Sequence, residues 1–182
     1  MLDAAEDAAG LQDDTLWLKW PNDIVAVAQD GLLRKVAGVL GESTSGGDGD
    51  RLETAVVGIG INADWEARDF PPDLAPMMTS LREVANGRPV DREQLLDGYL
   101  ARLEPRYEAL ASGTFDAGGW TRRQRTTGSD VEVLVGDVLV YGRATGVDPG
   151  SGALLVRTPD ADVAIDSGEV TRCRILTLPT RR

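Results

Sequence analysis

The sequence predicts an α+β fold: a mixed, mainly antiparallel sheet with helices, followed by a small separate β-barrel. Three observations predict it. Four β-prone runs between Leu16 and Ile61 are joined by loops too short for helical crossovers, which calls for antiparallel pairing. Helix signals then fill the stretch from Ser80 to Leu103. From Asp130 onward, short alternating apolar runs recur between Gly, Asp and Pro clusters, the pattern of a compact antiparallel barrel. The change of pattern falls near Gly113 to Gly128, so one domain is expected over residues 1–118 and a second over 119–182.

Leu2 to Leu11 reads as a helix with Gly10 near its C-terminal end. Leu16-Trp17-Leu18-Lys19-Trp20 is a short strand closed by the turn residues Pro21-Asn22-Asp23. Ile24 to Ala28 is a second strand, and Asp30-Gly31 marks a tight hairpin into a third, Leu32 to Gly41. Ser43 to Asp50 is a polar loop, and Glu53 to Ile61 is the fourth strand. Asp64 to Met78, broken by Pro71, Pro72 and Pro76, reads as a surface loop. Ser80 and Glu83 have capping-box spacing and open a short helix that Asn86-Gly87 ends. Asp91 with Gln94 opens a longer helix, with Leu95, Leu96, Tyr99, Leu100 and Leu103 on one face. Pro105 should kink or interrupt it, since an interior proline costs roughly 3 kcal/mol. The barrel strands are expected at Val131 to Val135, Val138 to Tyr141, Ala153 to Thr158, Val163 to Ile165 and Val170 to Leu176.

Composition narrows the function classes. A chain of 182 residues that is 42% hydrophobic can bury a real core. Its net charge of -11, from 19 basic and 30 acidic side chains, repels phosphate backbones and argues against nucleic acid as a partner. Cys173 is the single cysteine and histidine is absent, so an intrachain disulfide, histidine acid–base chemistry and ordinary zinc sites are excluded. That usage fits the cytoplasm. No apolar run approaches a membrane span, and the acidic, alanine-rich start is unlike a signal peptide. Chemistry is left to carboxylates, lysines, arginines and backbone groups.

Three segments could carry it. In Lys19-Trp20-Pro21-Asn22-Asp23 the proline ends the strand, which places Asn22 and Asp23 at a strand end where ligands are often met; a snorkelling lysine beside a turn-forming pair explains the same residues. In Arg34-Lys35-Val36-Ala37-Gly38-Val39-Leu40-Gly41, strict alternation puts Lys35 on the face of Leu33, Ala37 and Val39, with Gly38 on the other. Lys35 then either meets an anion or reaches water. In Val56-Val57-Gly58-Ile59-Gly60-Ile61-Asn62, Gly58 and Gly60 leave a strip without side chains on one face, open to a flat ligand or to the close packing of a helix. The dinucleotide fingerprint is incomplete there.

Taken together and in this order, Lys-Trp-Pro-Asn-Asp, then Arg-Lys-Val-Ala-Gly-Val-Leu-Gly-Glu, then Val-Gly-Ile-Gly-Ile-Asn, resemble the catalytic domain of the biotin–protein ligases. The Thr79-Ser80-Leu81 stretch, the helix after it and the terminal barrel fit the same plan. The resemblance implies a class II synthetase-like catalytic domain followed by a Src-homology-3-like barrel. It implies a ligase that activates biotin with ATP and Mg²⁺ to biotinyl-adenylate and passes the biotinyl group to a lysine of a biotin carboxyl carrier protein or domain of a biotin-dependent carboxylase. By matching position, Lys35 would be the catalytic lysine, touching the biotin carboxylate and the α-phosphate. Gly38 would offer backbone groups to biotin. Asp23 would serve the transfer step or hold metal, Asn62 would stand by the metal and phosphates, and Lys19 would support phosphate charge.

The family's Gly-Arg-rich loop and first strands lie upstream of the lysine–tryptophan motif and have no counterpart here, so the chain is expected to begin inside a helix and, alone, to be nearly inactive. Arg122-Arg123-Gln124-Arg125 reads as a solvated basic patch and no substitute for that loop. A non-catalytic module binding biotin or carrier, and a lipoate-type ligase, stand as alternatives. No membrane association is expected, and homodimer formation is left open.

Overall fold

The computed structural model describes residues 1–45, 52–114, 116–167 and 170–178. Residues 46–50 of the polar loop expected over Ser43 to Asp50 lie outside the described residues. Contacts divide the chain into two compact units: Met1–Leu16 with Asn22–Pro105, and Trp17–Pro21 with Arg106–Arg182. The division falls at Pro105, whereas the domain boundary expected from sequence lies at 118/119. Among the described residues no helix is long and apolar enough to cross a membrane.

The first unit opens with helix α1 (Leu2–Ala9), which buries Ala4, Ala5 and Ala9. Gly10 ends it in the left-handed conformation, φ 58°, and its N–H donates to the Asp7 carbonyl; this is the conformation in which glycine has no Cβ penalty. The buried Glu6 carboxylate accepts the Leu16 N–H at 2.8 Å, tying the helix to the start of strand β1 (Leu16–Lys19). Strands β2 (Asp23–Val27), β3 (Leu33–Ser45) and β4 (Leu52–Ile61) pair in that order, each antiparallel to the next. The Asp30-Gly31 turn makes the first hairpin, with Gly31 at φ 80° and the Asp30 carboxylate accepting the Leu32 N–H. β3 runs past the expected Gly41 because its pairing with β4 continues to Ser45 opposite Leu52.

Between β2 and β3 the register slips: Ile24 faces Ala37, but Val25 faces Lys35. Val36 is therefore a β-bulge residue, and both Val36 and Ala37 are buried. This overturns the alternation expected from sequence. Paired residues share a face, so Lys35, Asp23, Gly38 and Gly60 all stand on one side of the sheet.

Helix α2 (Leu81–Val84) starts where predicted, with the Ser80 hydroxyl accepting the Glu83 N–H at 3.1 Å. Helix α3 (Arg92–Ala111) starts at the Asp91 cap, whose carboxylate accepts the N–H groups of Glu93 and Gln94. Two features of α3 go beyond the sequence pattern. It continues through Pro105 without interruption. Proline removes one donor there, but the stretch is exposed and water can serve the carbonyl left over. Of the apolar face, only Leu95 is buried, while Leu96, Leu100 and Leu103 are exposed. The side turned to α1 is instead that of Gly98, close to Ala4, and of Arg102, which pairs with Asp7.

The second unit contains helix α4 (Ala117–Arg122) and strands β5 (Asp130–Val135), β6 (Val138–Val147), β7 (Leu154–Arg157), β8 (Asp162–Ile165) and β9 (Val170–Thr177). They form one antiparallel sheet in the order β8-β7-β6-β5-β9. Every second residue of β5 points inward, so Val131 and Val133 join Ala144, Leu154, Val156 and Cys173 in a single core. Trp20 belongs to that core. It is 1% exposed, its indole N–H donates to the Gly152 carbonyl and its backbone N–H to the Thr126 hydroxyl, both at 2.9 Å.

Candidate active site

Asp23 starts β2, directly opposite Gly38. The bulge at Val36 lets Lys35 fold over Gly38 towards it, and Lys35 Nζ lies 2.6 Å from Asp23 Oδ1. A β-carbon on Gly38 would stand 2.9 Å from Lys35 Nζ and 3.0 Å from its Cε, so the ammonium occupies the space that any other residue at 38 would fill. The pair is not sealed off: the Lys35 side chain is 37% exposed and that of Asp23 17%. A cation held this way is available to an incoming anion.

The same face continues as bare backbone. Gly60 pairs with Gly38, and Gly58 with Leu40. Nothing lies within 4 Å of where a Gly60 β-carbon would be, and only the Leu40 carbonyl, at 3.9 Å, approaches that of Gly58. The helix-packing explanation of these glycines therefore fails. The opposite face, carrying Ile59 and Ile61, is the one that meets α3, where Leu95, Leu96 and Tyr99 line the same apolar hollow. What remains beside the Lys35–Asp23 pair is a strip of Gly38, Gly60 and Gly58 with exposed backbone, bordered by the exposed Leu40 and suited to a flat ligand with an anionic end.

Asn62 follows β4 and is held on all sides. Its N–H donates to the Val36 carbonyl, its side-chain Nδ2 donates to the Thr79 carbonyl at 3.0 Å and reaches the Lys35 carbonyl at 3.5 Å, and its own carbonyl accepts the Leu81 N–H. The structure thus brings Lys35, Asp23, Gly38 and Asn62 together in the first unit. Lys19 falls with Trp17–Pro21 in the second. Asn22 is a structural turn residue, with Nδ2 donating to the Val39 carbonyl and its own carbonyl accepting the Val39 N–H.

Magnesium, which the sequence resemblance implies, prefers an octahedron of oxygens and dehydrates reluctantly. Asp23 is turned to Lys35, and among the described residues no three His, Cys, Asp or Glu side chains converge. These side chains do not make a magnesium cage by themselves.

Sequence reasoning missed two features. Trp20, inside the first motif, is a core residue of the second unit. The Arg122 to Arg125 run is more than a solvated patch: the Arg123 and Arg125 guanidinium groups lie 6.0 and 5.4 Å from the centre of the Trp17 ring. Tryptophan next to lysine in a strand, with arginines elsewhere, gives no local signal of either contact.

The sequence profile of the Biotin/lipoate A/B protein ligase family matches residues 1–62, the segment that holds Asp23, Lys35, Gly38, Gly58, Gly60 and Asn62. The chain is 31% identical to the bifunctional ligase/repressor BirA of Bacillus subtilis (strain 168) over 167 residues, which is 91% of this chain and 48% of that protein. It is 32% identical over 160 residues to the biotin–[acetyl-CoA-carboxylase] ligase of Paracoccus denitrificans, covering 85% of this chain and 62% of that one. The chain thus spans about half the length of the curated relatives it matches. Its fold matches the biotin protein ligase from Aquifex aeolicus in complex with biotin and ATP with a TM-score of 0.74 and 28% identity, covering 96% of this chain and 67% of that structure. By motif, by sequence and by fold, the chain is similar to the biotin protein ligases.

Proposed function

We propose that this chain carries the cationic group of a biotin-activating site, in a ligase that consumes ATP and modifies a lysine of a biotin carboxyl carrier domain. One observation carries the reading: the Lys35 ammonium sits over Gly38 at the end of the strip formed by Gly58 and Gly60. In the first step a biotin carboxylate oxygen bonds to the α-phosphorus of ATP, and the bond from that phosphorus to the bridging oxygen breaks, releasing pyrophosphate. Both reactants are anions, so the step needs a positive charge already in place between them. Lys35 is that charge, and Asp23 holds it in position until the substrates arrive. In the second step the carrier lysine nitrogen attacks the acyl carbon. The bond to AMP breaks, AMP leaves with the electron pair, and the amine loses a proton.

The bicyclic, largely apolar body of biotin suits a floor without side chains, where ligand atoms can lie against backbone amides. Magnesium belongs with the nucleotide phosphates, and no step is derived through it.

The test uses the full natural chain containing this sequence, with ATP, a carrier domain, and either biotin or lipoate. A biotinyl mass increment on one carrier lysine, absent with lipoate, is the expected result. Lipoyl transfer would point to the lipoate-type reading, and biotin binding without adenylate or transfer would point to a non-catalytic module.

A further inference from the structure

The chain passes from the second unit to the first between Pro21 and Asn22, just ahead of Asp23. Upstream of that point the end of β1 is stitched into the second unit. The Leu18 N–H donates to the Arg123 carbonyl at 2.8 Å, and the Arg125 N–H donates to the Leu18 carbonyl at 2.7 Å. The Trp20 N–H donates to the Thr126 hydroxyl and its indole N–H to the Gly152 carbonyl, each at 2.9 Å. Trp20 and Thr126 are both buried, so an N–H left there without an acceptor would be costly. Downstream, the Asn22 carbonyl accepts the Val39 N–H at 2.9 Å, and Asn22 Nδ2 donates to the Val39 carbonyl at 2.8 Å. Only Pro21 separates these two anchored residues, and its ring locks φ. Asp23 itself begins β2, and the register slip after Ile24 leaves just Asp23 and Ile24 on its side of the bulge. A ladder end this short frays unless something else holds it.

We infer that Thr126 is a positioning residue for the Lys35–Asp23 pair, acting through Trp20: its hydroxyl fixes the point from which the chain enters β2, and with it the Asp23 carboxylate. This role rests on the reading of Asp23 as the group that holds the Lys35 ammonium for biotin and ATP. Thr126 stands outside all three sequence motifs, 106 positions from Trp20. Its influence needs no contact with the reactants, because the path is covalent. A shift at Trp20 meets a proline of fixed φ and then Asn22, so it has little slack in which to dissipate before Asp23. The Asp23 carboxylate lies 2.6 Å from Lys35 Nζ, so a displaced carboxylate takes the ammonium with it or releases it. A misplacement of about 1 Å in a reacting constellation can cost on the order of 10²-fold in rate.

The test is a double-mutant cycle in the full natural chain, reading kcat for biotinyl-adenylate formation well below each variant's melting temperature. Its members are Thr126→Val, which keeps the shape and removes the acceptor, Asp23→Asn, and the two combined. Thr126→Val should lower kcat roughly tenfold, and Thr126→Ser, which keeps the hydroxyl, should restore most of it. With Asp23→Asn already in place, adding Thr126→Val should cost no more than about twofold further, because the carboxylate it positions is gone. Trp20→Phe, which loses chiefly the indole bond to Gly152, takes the place of Thr126→Val in the same cycle should that variant not fold. Losses that multiply independently in the double variant would overturn the role, since they mark a structural effect that does not pass through Asp23. So would wild-type kcat in a folded Thr126→Val protein. Wild-type kcat in Asp23→Asn alone would instead remove the reading of Asp23 beneath the proposal, an outcome distinct from either Thr126 result.

Discussion

Lys35 and Gly38 stand on the same face of β3, although they are an odd three positions apart, because the bulge at Val36 absorbs one residue of the alternation. The lysine ammonium fills the volume that a side chain at 38 would need. Gly38 is thus required by the lysine as much as by any ligand.

Gly38→Ala is the direct test of that relationship. The new methyl group crowds the flexible end of Lys35 and meets Asp23 Oδ1 at an ordinary contact distance of 3.8 Å, so the fold should tolerate it, with a stability change of about 0.5 kcal/mol or less. The ammonium must move, and adenylate formation should fall roughly 10- to 100-fold. Thermal melting and single-turnover kinetics measure the two effects. A variant with unchanged kinetics would show that the position of the ammonium is immaterial.

Trp20 makes a different claim. Its ring is buried and both of its N–H groups are satisfied within the second unit, by Gly152 and Thr126. Trp20→Ala should cost about 3–5 kcal/mol, and Trp20→Phe, which loses chiefly the indole hydrogen bond, about 1–3 kcal/mol. Denaturant unfolding followed by a signal from the second unit checks this. Equal stability of wild type and Trp20→Ala would refute a core role for this part of the motif.

Acid sensitivity in the second unit should trace to Asp130. The Thr177 hydroxyl first, and the Arg143 guanidinium second, hold its carboxyl below the usual value of 3.8. The folded state therefore releases this proton more readily than the unfolded state does. The resulting stabilisation is present above pH 3.8 and is lost as pH falls through the lower folded value. Asp148 acts in the same direction, through the Ser151 hydroxyl first and backbone N–H groups after it. Thr177→Val should be less stable than wild type near neutral pH, with the gap closing in strong acid. A gap that stays constant across an acid titration would contradict the assignment.

Pro105 leaves α3 one hydrogen bond short on an exposed stretch. Pro105→Ala should restore it and stabilise the helix by about 1–3 kcal/mol, seen as a higher melting temperature. No gain would mean that the missing bond costs nothing where it stands.

Local chemistry made much of the fold legible. The Asp30-Gly31 turn, the Ser80 and Asp91 caps, the Gly10 helix end and the alternation of Val131 and Val133 each act through near neighbours in sequence, and each stands where the pattern places it. The bulge was not legible, because nothing in Lys35-Val36-Ala37-Gly38 shows which residue the partner strand will skip. Its effect reached the site: alternation separated Lys35 from Gly38, and the pairing unites them. The membership of Trp20 in a core more than a hundred positions away, and the approach of Gly98 to Ala4 of α1, depend on long-range packing that periodicity cannot display.

The account turns on the charge of Lys35, and biotin-dependent exchange of pyrophosphate into ATP measures it most directly. In the full natural chain, Lys35→Met should keep the wild-type melting temperature and lose roughly 10²–10³ of the exchange rate. Exchange at the wild-type rate in a folded Lys35→Met protein would contradict it.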